Sequence, residues 1–561
     1  MKWTAALWLL PLFAFGQTAE TPRFLAADVH VAAKTQNQGL RPPSGRGERY
    51  EIRNATMVDL IALAYTFNST RVLGGPSWLE MDRFDVIAKV PPQTAPDVQK
   101  SMLKNLLAER FKLVLREENK PMPAYVLSAG PKKPLLKEAD GSGETGCKPQ
   151  SSNAAPGQPG VVRLMTSAGN AGGAPVQLTL VDGMVEMKCR NMTMAAFVEG
   201  MRGMLGANLG QTPIVDRTGI SGIWNFDLKY SLGLIGPAGP IGSKFTIQEA
   251  IEKQMGLKME DKPIPTAVLT VESVNQKPSE NPPGTVAELP ANATPTEFEV
   301  ATIKPSDPEF RGGRFQMQPG GRLVAEGVPL QFLISRAFNT DTSERLTGLP
   351  TWANSTRFDV TAKAPGDTMM NGIDPETLAP MMLALLKERF KLTYHTEEKD
   401  LTAYSLVAAK PKMTKADPAS RSWCKPPQQI PGAAPAPQGS QALICQNVTM
   451  AQFADLVRAR TNGIDGPVVD MTGLEGSWDF RITYSPFFAT QVNLAAARAA
   501  AGVAAGGPGG DAGLAAASDP TVNGVSIFDA LEKQLGLKLV KTKRPAQVFV
   551  IDHIDQTPTD N

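Results

Sequence analysis

The chain has 561 residues, of which 42% are hydrophobic, so it can bury the cores of two or more globular domains. Its 57 basic and 55 acidic side chains leave a net charge of +2, which excludes the strong long-range field that attracts nucleic acid or an anionic membrane surface. We therefore expect no nucleic-acid partner.

The first 19 residues are typical of a secretory signal peptide. Lys2 precedes an apolar run from Ala5 to Phe15, and Gly16–Ala19 contains the small residues of a cleavage region. The alternative is a membrane anchor, but an apolar run this short, interrupted by Pro11, cannot span about 30 Å of hydrocarbon. No later stretch is long enough, so the sequence predicts a periplasmic or secreted protein without a membrane span in the mature chain.

The chain consists of two copies of one sequence module. The segment L-L-A-E-R-F-K-L at Leu106–Leu113 returns as L-L-K-E-R-F-K-L at Leu385–Leu392, and the surrounding motifs return in the same order. The linker between the copies is rich in Pro, Asn, Ala and Thr, which predicts a semi-extended spacer that lets the copies move. The predicted limits are a signal peptide at 1–19, repeat domain 1 at 20–277, a Pro-rich linker at 278–295, repeat domain 2 at 296–556 and a tail at 557–561.

In chain order, each copy opens with a short apolar strand, Phe24–His30 or Phe298–Lys304. A helix follows, signalled by Thr56 three residues ahead of a carboxylate in the first copy and by Pro329 in the second. A Gly-marked turn then leads into an alternating strand, R-F-D-V-I-A-K or R-F-D-V-T-A-K, and that strand into the repeated helix.

The second half of each copy begins with a Gly- and Pro-rich stretch, 141–175 or 425–439, which predicts a loop. Beyond it, hydroxyl residues open two further helices per copy, and Gly256 and Gly536 can terminate the last ones. Apolar strands at 267–274 and 547–554 close the copies. We expect an α+β fold of two homologous domains, each a mixed sheet with three or four helices built from β-α-β units.

The four cysteines fall as two pairs at matching places, and even, duplicated cysteines in an exported chain favour one disulfide per copy. The alternative is a four-cysteine zinc site, which needs C-x-x-C-like spacing that the chain lacks. We expect no metal site and no cofactor. The predicted disulfide residues are Cys147, Cys189, Cys424 and Cys445.

The ordered motifs F-E-V-A-T-I-K, G-L-P-T-W, R-F-D-V-T-A-K, L-L-K-E-R-F-K-L, V-V-D-M-T-G-L and V-F-V-I-D-H-I resemble a soil-associated family of secreted bacterial proteins. This family is a domain of unknown function that is abundant in acidobacteria, and most members carry one copy, so the tandem is a departure. No catalytic residue is assigned in it, so the resemblance implies none here. Some members resemble sensor segments of membrane metallopeptidases, and the helix-Gly-Leu-strand pattern is similar to β-α-β units of secretins and TonB-dependent receptors.

One aspartate in each copy suggests an enzyme. Asp216 in V-D-R-T-G and Asp470 in V-V-D-M-T-G resemble the paired carboxylates of two-lobed aspartic proteases, which share one proton. Arg217 and Met471 intervene between Asp and Thr, however, and displace the hydroxyl and the glycine. The favoured interpretation is therefore that each carboxylate hydrogen-bonds its own turn.

Other polar and aromatic residues have ordinary interpretations. Glu109-Arg110 and Glu388-Arg389 are predicted to be solvated ion pairs, and no histidine has a histidine counterpart in the other copy. Matched tryptophans can stack on a sugar or peptide ligand, although they are more often part of a core. These candidates for ligand stacking are Trp78, Trp352, Trp224 and Trp478.

We therefore predict a non-enzymatic extracytoplasmic binding or sensing module with a protein or cell-envelope ligand, contacted through sheet edges or the cleft between the copies. The alternative is a cell-envelope hydrolase that uses paired carboxylates between the two domains. The motifs of phosphoryl transfer, serine hydrolysis and zinc proteolysis are absent from the sequence.

Overall fold

The computed structural model of the protein describes most of the chain, and the predicted signal peptide lies outside the described residues. The described residues are 21–559 except 34–38, 47, 132, 151–160, 167–175, 210–211, 232–234, 237–238, 241–244, 291–294, 308–312, 319, 341–342, 366–374, 431–432, 435, 438–439, 461–463, 465 and 486–524.

The first copy contains strands β1 to β16 and helices α1 to α4. The strands are β1 Ala26–Val31, β2 Arg41–Arg46, β3 Arg49–Thr56, β4 Val72–Gly74, β5 Arg83–Lys89, β6 Val114–Ala129, β7 Lys137–Glu138, β8 Gly146–Gln150, β9 Val161–Thr166, β10 Val176–Val181, β11 Met184–Met192, β12 Ile214–Arg217, β13 Trp224–Ser231, β14 Ile235–Gly236, β15 Gly239–Pro240 and β16 Leu257–Ser273. The helices are α1 Met57–Tyr65, α2 Pro96–Phe111, α3 Met194–Leu209 and α4 Ile247–Ala250, which continues as a π-helical turn, Ile251–Met255.

A short helix, α5 Thr285–Glu288, lies between the copies, and the second copy repeats the order of the main elements. Its strands are β17 Val300–Pro305, β18 Arg314–Gln318, β19 Arg322–Pro329, β20 Leu346–Thr347, β21 Arg357–Lys363, β22 Thr393–Ala408, β23 Thr414–Lys415, β24 Trp423–Lys425, β25 Gln441–Thr449, β26 Val468–Asp470, β27 Ser477–Tyr484 and β28 Leu537–His553. Its helices are α6 Leu330–Ala337, α7 Pro375–Phe390, α8 Met450–Arg460 and α9 Ile527–Ala530, which continues as the π-helical turn Leu531–Leu535.

The α+β prediction is confirmed, and the structure adds that each copy divides its strands among three main sheets. In the first copy, two antiparallel outer sheets have the orders β1-β5-β3-β2 and β7-β13-β11-β10-β9, with β8 also on β11. A mixed central sheet, β12-β6-β16-β4, joins them. The second copy has the corresponding orders β17-β21-β19-β18, β23-β27-β25-β24 and β20-β28-β22-β26.

The central sheet interlocks the two halves of a copy. Its long strands β6 and β16 run antiparallel from Val114↔Ser273 to Ala129↔Leu257. The short strand β4, from the first half, pairs in parallel with β16, and β12, from the second half, pairs in parallel with β6. Each half therefore supplies a strand to the edge of the other, so neither half has a complete central sheet alone.

A second level of repetition appears within each copy. Each copy has two halves, and in all four halves the strand that precedes a helix carries a similar bulge. At each of these positions the strand pairing shifts register, and a residue with positive φ lies just before the helix. Its backbone N–H donates to a side-chain oxygen on the neighbouring strand. The pairs are Asn54 with Asp85, Asn191 with Asn225, Gly327 with Asp359 and Asn447 with Asp479, at 2.8, 2.9, 2.9 and 2.7 Å.

The predicted helix signals of the first copy hold at the residue level, whereas Pro329 in the second copy is the N-cap of α6 and not its first residue. Thr56 and Asp59 form a reciprocal capping box at the start of α1, as do Thr246 and Glu249 at α4. Gly256 ends its helix in the left-handed conformation at φ 69°, which glycine adopts without the steric cost of a Cβ. The repeated helix α2 buries the predicted stripe, Met102, Leu103, Leu106 and Leu107.

Two predictions about loops and strands need correction. The stretch at 141–175 is not all loop, because β8 and β9 lie in it and β8 pairs with β11 despite its Gly- and Pro-rich flanks. The predicted closing strand at 267–274 is also too short. In the structure β16 begins at Leu257, directly after the helix, because β6 provides a partner along the whole length.

The start of the linker is packed rather than solvated. Arg110 is only 8% exposed, and it donates through Nε to the Ser279 carbonyl at 3.0 Å and through Nη2 to Asn281 Oδ1 at 2.6 Å. The prediction of a solvated Glu109-Arg110 pair is therefore wrong for the arginine, and Glu109 pairs instead with Arg23 at 2.8 Å. The domain limits remain a prediction, but these contacts favour a first boundary after Asn281.

The copies also contact one another directly. The amide N–H of Ser422, beside β24, donates to the Ser77 carbonyl of the first copy at 2.9 Å. Arg421 donates to the Val72 carbonyl at 2.6 Å, and its Nη2 lies 2.7 Å from Glu80 Oε1, with both side chains at least 85% buried. Burial lowers the pKa of the Arg421 guanidinium, and the Glu80 charge opposes that shift. The two copies are therefore held together by direct contacts and not by the linker alone.

Across the described ranges, no helix is both long enough and apolar enough to cross a membrane.

Candidate functional site

The four cysteines form two cross-strand disulfides. Cys147 on β8 bonds Cys189 on β11, and Cys424 on β24 bonds Cys445 on β25. In each pair the two residues lie directly opposite one another in the strand register. The bonds join β8 to β11 and β24 to β25. They therefore link equivalent strand pairs in the second halves of the two copies, which is a structural role.

The two aspartates that suggested an enzyme each bind their own turn. Asp216 Oδ1 accepts from the Thr218 amide at 2.9 Å and from its hydroxyl at 2.8 Å. Asp470 Oδ1 accepts from Thr472 with the same two distances. In both turns the threonine hydroxyl accepts in turn from the amide two residues on. This is the Asx-turn pattern in which the carboxylate fixes the backbone.

The four matched tryptophans flank the cores. Each is partly buried, and each packs against the hydrophobic cluster of its own half-copy. Trp78 lies edge-on to Phe84 at 6.1 Å, and Trp224 donates to the Ser221 carbonyl at 3.1 Å. Lys415 lies over the Trp478 ring at 5.6 Å. Their ligand-stacking role stays a prediction, and these contacts are those of partial core residues.

An open polar cleft of about 540 Å³ lies beside the first disulfide, lined by Glu138, Asp140, Ser142, Gly143, Glu144, Arg190 and Asn225. Its charges are largely paired with neighbours. Arg190 bonds Asp227 at 2.6 Å, and Asp140 accepts from the Ser142 amide and hydroxyl, which lowers the pKa of that carboxyl. Among the described residues, no group of three or more His, Cys, Asp or Glu side chains is arranged to hold a metal ion.

The first antiparallel sheet differs most between the copies. Its inner face packs on the helices, and its outer face carries six side chains that match by register in the two copies. In the first copy we call these the covered face: Asp28, His30, Arg49, Glu51, Ile87 and Lys89. In the second copy we call them the open face: Thr302, Lys304, Arg322, Val324, Thr361 and Lys363.

The covered face lies under the linker. Asn281 Oδ1 accepts from the Val29 amide at 3.1 Å on the edge strand β1, and α5 then lies against that strand. Further along, Arg49 on β3 donates to the Pro290 carbonyl at 2.6 Å. The described part of the linker thus crosses from β1 to β3, and none of the six covered-face residues is exposed.

The open face is more exposed than the covered face among the residues that the structure describes. Of its six residues, Thr302, Lys304, Arg322 and Lys363 are exposed.

The edge strands of the two sheets differ too. In the first copy β2 has the sequence R-P-P-S-G-R, and its pairing with β3 shifts register between Arg41 and Ser44. In the second copy β18 has the sequence R-F-Q-M-Q and pairs with β19 without a shift. Proline lacks an N–H donor and a bulge bends the strand, so β2 is a blocked edge and β18 a regular one.

This site is a difference between the copies, whereas the repeated motifs show only where the copies are alike. The sequence carries one difference at the edge of this sheet: Pro42-Pro43 precede Ser44 on β2, whereas Phe315 precedes the matching Gln316 on β18. Which face the linker crosses, however, is decided by tertiary contacts.

The family described as Protein of unknown function (DUF3738) matches the chain twice, over residues 58–274 and 331–554. The two matches coincide with the two copies. Neither a curated protein nor a solved structure matches the chain.

Proposed function

The chain belongs to the DUF3738 family of proteins of unknown function, in two copies, and on this premise we propose that it is a non-enzymatic binding or sensing module for a protein or cell-envelope partner. The partner binds the first sheet of the second copy. The first copy serves mainly to position the second, through the linker and the Arg421–Glu80 contact.

One observation supports this proposal above the others: equivalent sheets are closed in the first copy and open in the second. The blocked edge β2 and the covered face of copy 1 correspond to the regular edge β18 and the open face of copy 2. Exposed regular edges invite pairing with another chain, and proteins usually block them unless they are used. An extended segment of a partner can add to such an edge by backbone hydrogen bonds.

The proposal places the protein in the periplasm or outside the cell of a soil bacterium, as the family resemblance implies. The two disulfides support an oxidising compartment. The signal-like sequence at 1–19 supports export.

In this account Asp216 and Asp470 are turn residues. Among the described residues, the hydrogen bonds of their carboxylates lie within their own Asx turns. The alternative, a hydrolase with paired carboxylates between the domains, is supported by no specific contact among the described residues.

The test is retention of a partner from an envelope extract of the producing organism by the immobilised mature protein. Three proteins are compared with wild type: the double variant Asp216→Asn, Asp470→Asn; Gln316→Pro on β18; and Ser44→Pro on β2. Gln316 and Ser44 occupy matching register positions, opposite Val324 and Glu51.

We expect wild type, the double Asp variant and Ser44→Pro to retain the same partner, and Gln316→Pro to lose it while keeping its unfolding transition. If no protein retains a partner, or if wild type degrades an envelope component and the double Asp variant does not, the binding function is wrong.

A further inference from the structure

The linker shows what kind of segment the outer face of this sheet holds. Residues 281–290 read N-P-P-G-T-V-A-E-L-P, an extended proline-bearing stretch with one short helical turn at Thr285–Glu288. The contacts are carried by backbone and amide groups, namely Asn281 on the Val29 amide and the Pro290 carbonyl on Arg49. A carbonyl acceptor is not specific for one side chain, so a segment of different sequence can satisfy the same arginine.

The open face retains the arginine. Arg322 occupies on β19 the register position that Arg49 occupies on β3, opposite Lys363 and Lys89 respectively. Arg49 is nearly buried, with 12% of its side chain exposed, because the linker lies over it. Arg322 is exposed. It is therefore positioned to donate to a backbone carbonyl that another chain supplies.

The two faces differ in charge: the covered face is balanced internally, whereas the open face is positive and can attract an acidic partner. On the covered face Glu51 binds Arg49 at 2.7 Å and also Arg53, so the charges there are balanced internally. On the open face Val324 replaces that glutamate. Asp359, opposite Lys304, accepts from the Gly327 amide and the Ser306 hydroxyl, and Glu326 binds Arg314. Apart from that last pair, the three cations Lys304, Arg322 and Lys363 outnumber the one described carboxylate on this face, that of Asp359, so the face is net positive.

We propose that the open face binds an extended, proline-containing, acidic segment of a partner protein, with Arg322 donating to its backbone carbonyl as Arg49 does to Pro290. The inference rests on the proposed binding function and names the surface and the chemistry of the ligand. The linker itself has this chemistry, because Glu288 lies within the packed stretch, and Glu297 and Glu299 follow it.

The probe is a fluorescent peptide of residues 281–290, titrated into the full mature chain and followed by anisotropy. In the intact chain the covered face is occupied by the tethered linker, whose high effective concentration excludes the free peptide. The peptide should therefore bind one site per chain, on the second copy. A scrambled peptide of the same composition is the sequence control.

The matched variants are Arg322→Glu and Arg49→Glu. Loss of a charge-assisted hydrogen bond costs about 1.5–3 kcal/mol, so Arg322→Glu should weaken peptide binding by at least about tenfold. Arg49→Glu should leave peptide binding unchanged, because its face is not the one that the peptide uses. Absence of saturable binding, or equal loss in both variants, would overturn the proposal.

Two further readouts separate this inference from the proposed function. If an envelope partner is retained equally by wild type and Arg322→Glu, the protein is a binding module that uses another surface, and only the inference falls. If wild type forms a concentration-dependent dimer that Arg322→Glu abolishes, the occupant is the linker of a second chain, and the partner assignment is wrong.

Discussion

The backbone N–H of Asn447 donates to Oδ1 of Asp479 at 2.7 Å, across the bulge that leads from β25 into α8. The matching bond in the first copy, from Asn191 to Asn225 at 2.9 Å, uses an amide oxygen in place of a carboxylate. Because a carboxylate oxygen and an amide oxygen both accept this bond, the acceptor does not have to be charged.

Removing that oxygen should destabilise the second copy. Asp479→Ala leaves the buried Asn447 amide without its acceptor, and an unsatisfied buried donor costs about 1–3 kcal/mol of the free energy of unfolding. Asp479→Asn keeps the oxygen and should cost less than half as much. Urea unfolding of the two variants measures the difference, and equal losses would mean that the carboxylate charge, not the acceptor, is what matters.

The contact between the copies should depend on Glu80. Glu80→Gln leaves Arg421, with 14% of its side chain exposed, without its counter-charge, and breaking such a pair costs about 3 kcal/mol. We expect the radius of gyration from small-angle X-ray scattering to rise as the copies separate.

The control for this variant is Asn354→Gln. Asn354 occupies the position of Glu80 in the second copy and is exposed, so its change should leave the scattering unaltered. An unchanged radius of gyration in Glu80→Gln would show that the ion pair does not hold the copies together.

The disulfides should stabilise the copies by different amounts. They close loops with sequence separations of 42 for Cys147–Cys189 and 21 for Cys424–Cys445. Loop-closure entropy assigns about 4 kcal/mol to the first and about 3 kcal/mol to the second. Paired Cys→Ala variants, unfolded in urea, test the order. Free thiols in protein isolated from its native compartment would contradict both the bonds and the export that they support.

The covered face should contribute to the free energy of unfolding in a pH-dependent way. Burial alone would raise the pKa of Glu51, but hydrogen bonds from Arg49 and Arg53 outweigh it, so the pKa lies below its ordinary value of 4.5. A carboxyl with a depressed folded pKa stabilises the protein above its unfolded pKa, and this contribution is lost as the pH falls through the folded pKa.

Glu51→Gln should therefore reduce the free energy of unfolding at pH 7, by about 2 kcal/mol for the lost charged hydrogen bonds, and the difference from wild type should shrink as the pH falls below 4.5. Glu48→Gln, at a more exposed carboxyl, is the control. A difference that stays constant to low pH would show that the charge of Glu51 is not involved.

The fold was predictable where local chemistry decides it. The capping box at Thr56, the terminating Gly256 and the buried stripe around Leu106 all follow from short sequence patterns, and the duplicated cysteines formed the expected pairs. The four-fold repetition also had a sequence signal, since Asn-x-Thr-Met occurs at Asn54, Asn191 and Asn447. It was hidden in the fourth half, where Gly327 and Pro329 replace the Asn and Thr.

The candidate site was not predictable, because it depends on which surfaces remain after the chain has packed on itself. The linker composition predicted a semi-extended spacer that lets the copies move, whereas Arg110 and Arg49 bind its backbone carbonyls. Val324 stands near Arg322 where Glu51 stands near Arg49, but this difference does not show that the linker lies over Arg49.

The most direct test of the account is site-specific photo-crosslinking in the producing organism, with a benzophenone amino acid at Lys363 of the open face or at Lys89, its counterpart on the covered face. We predict a discrete adduct to a second protein from position 363 and none from position 89. Adducts from position 89, or from neither position, would contradict the claim that the second copy carries the binding surface.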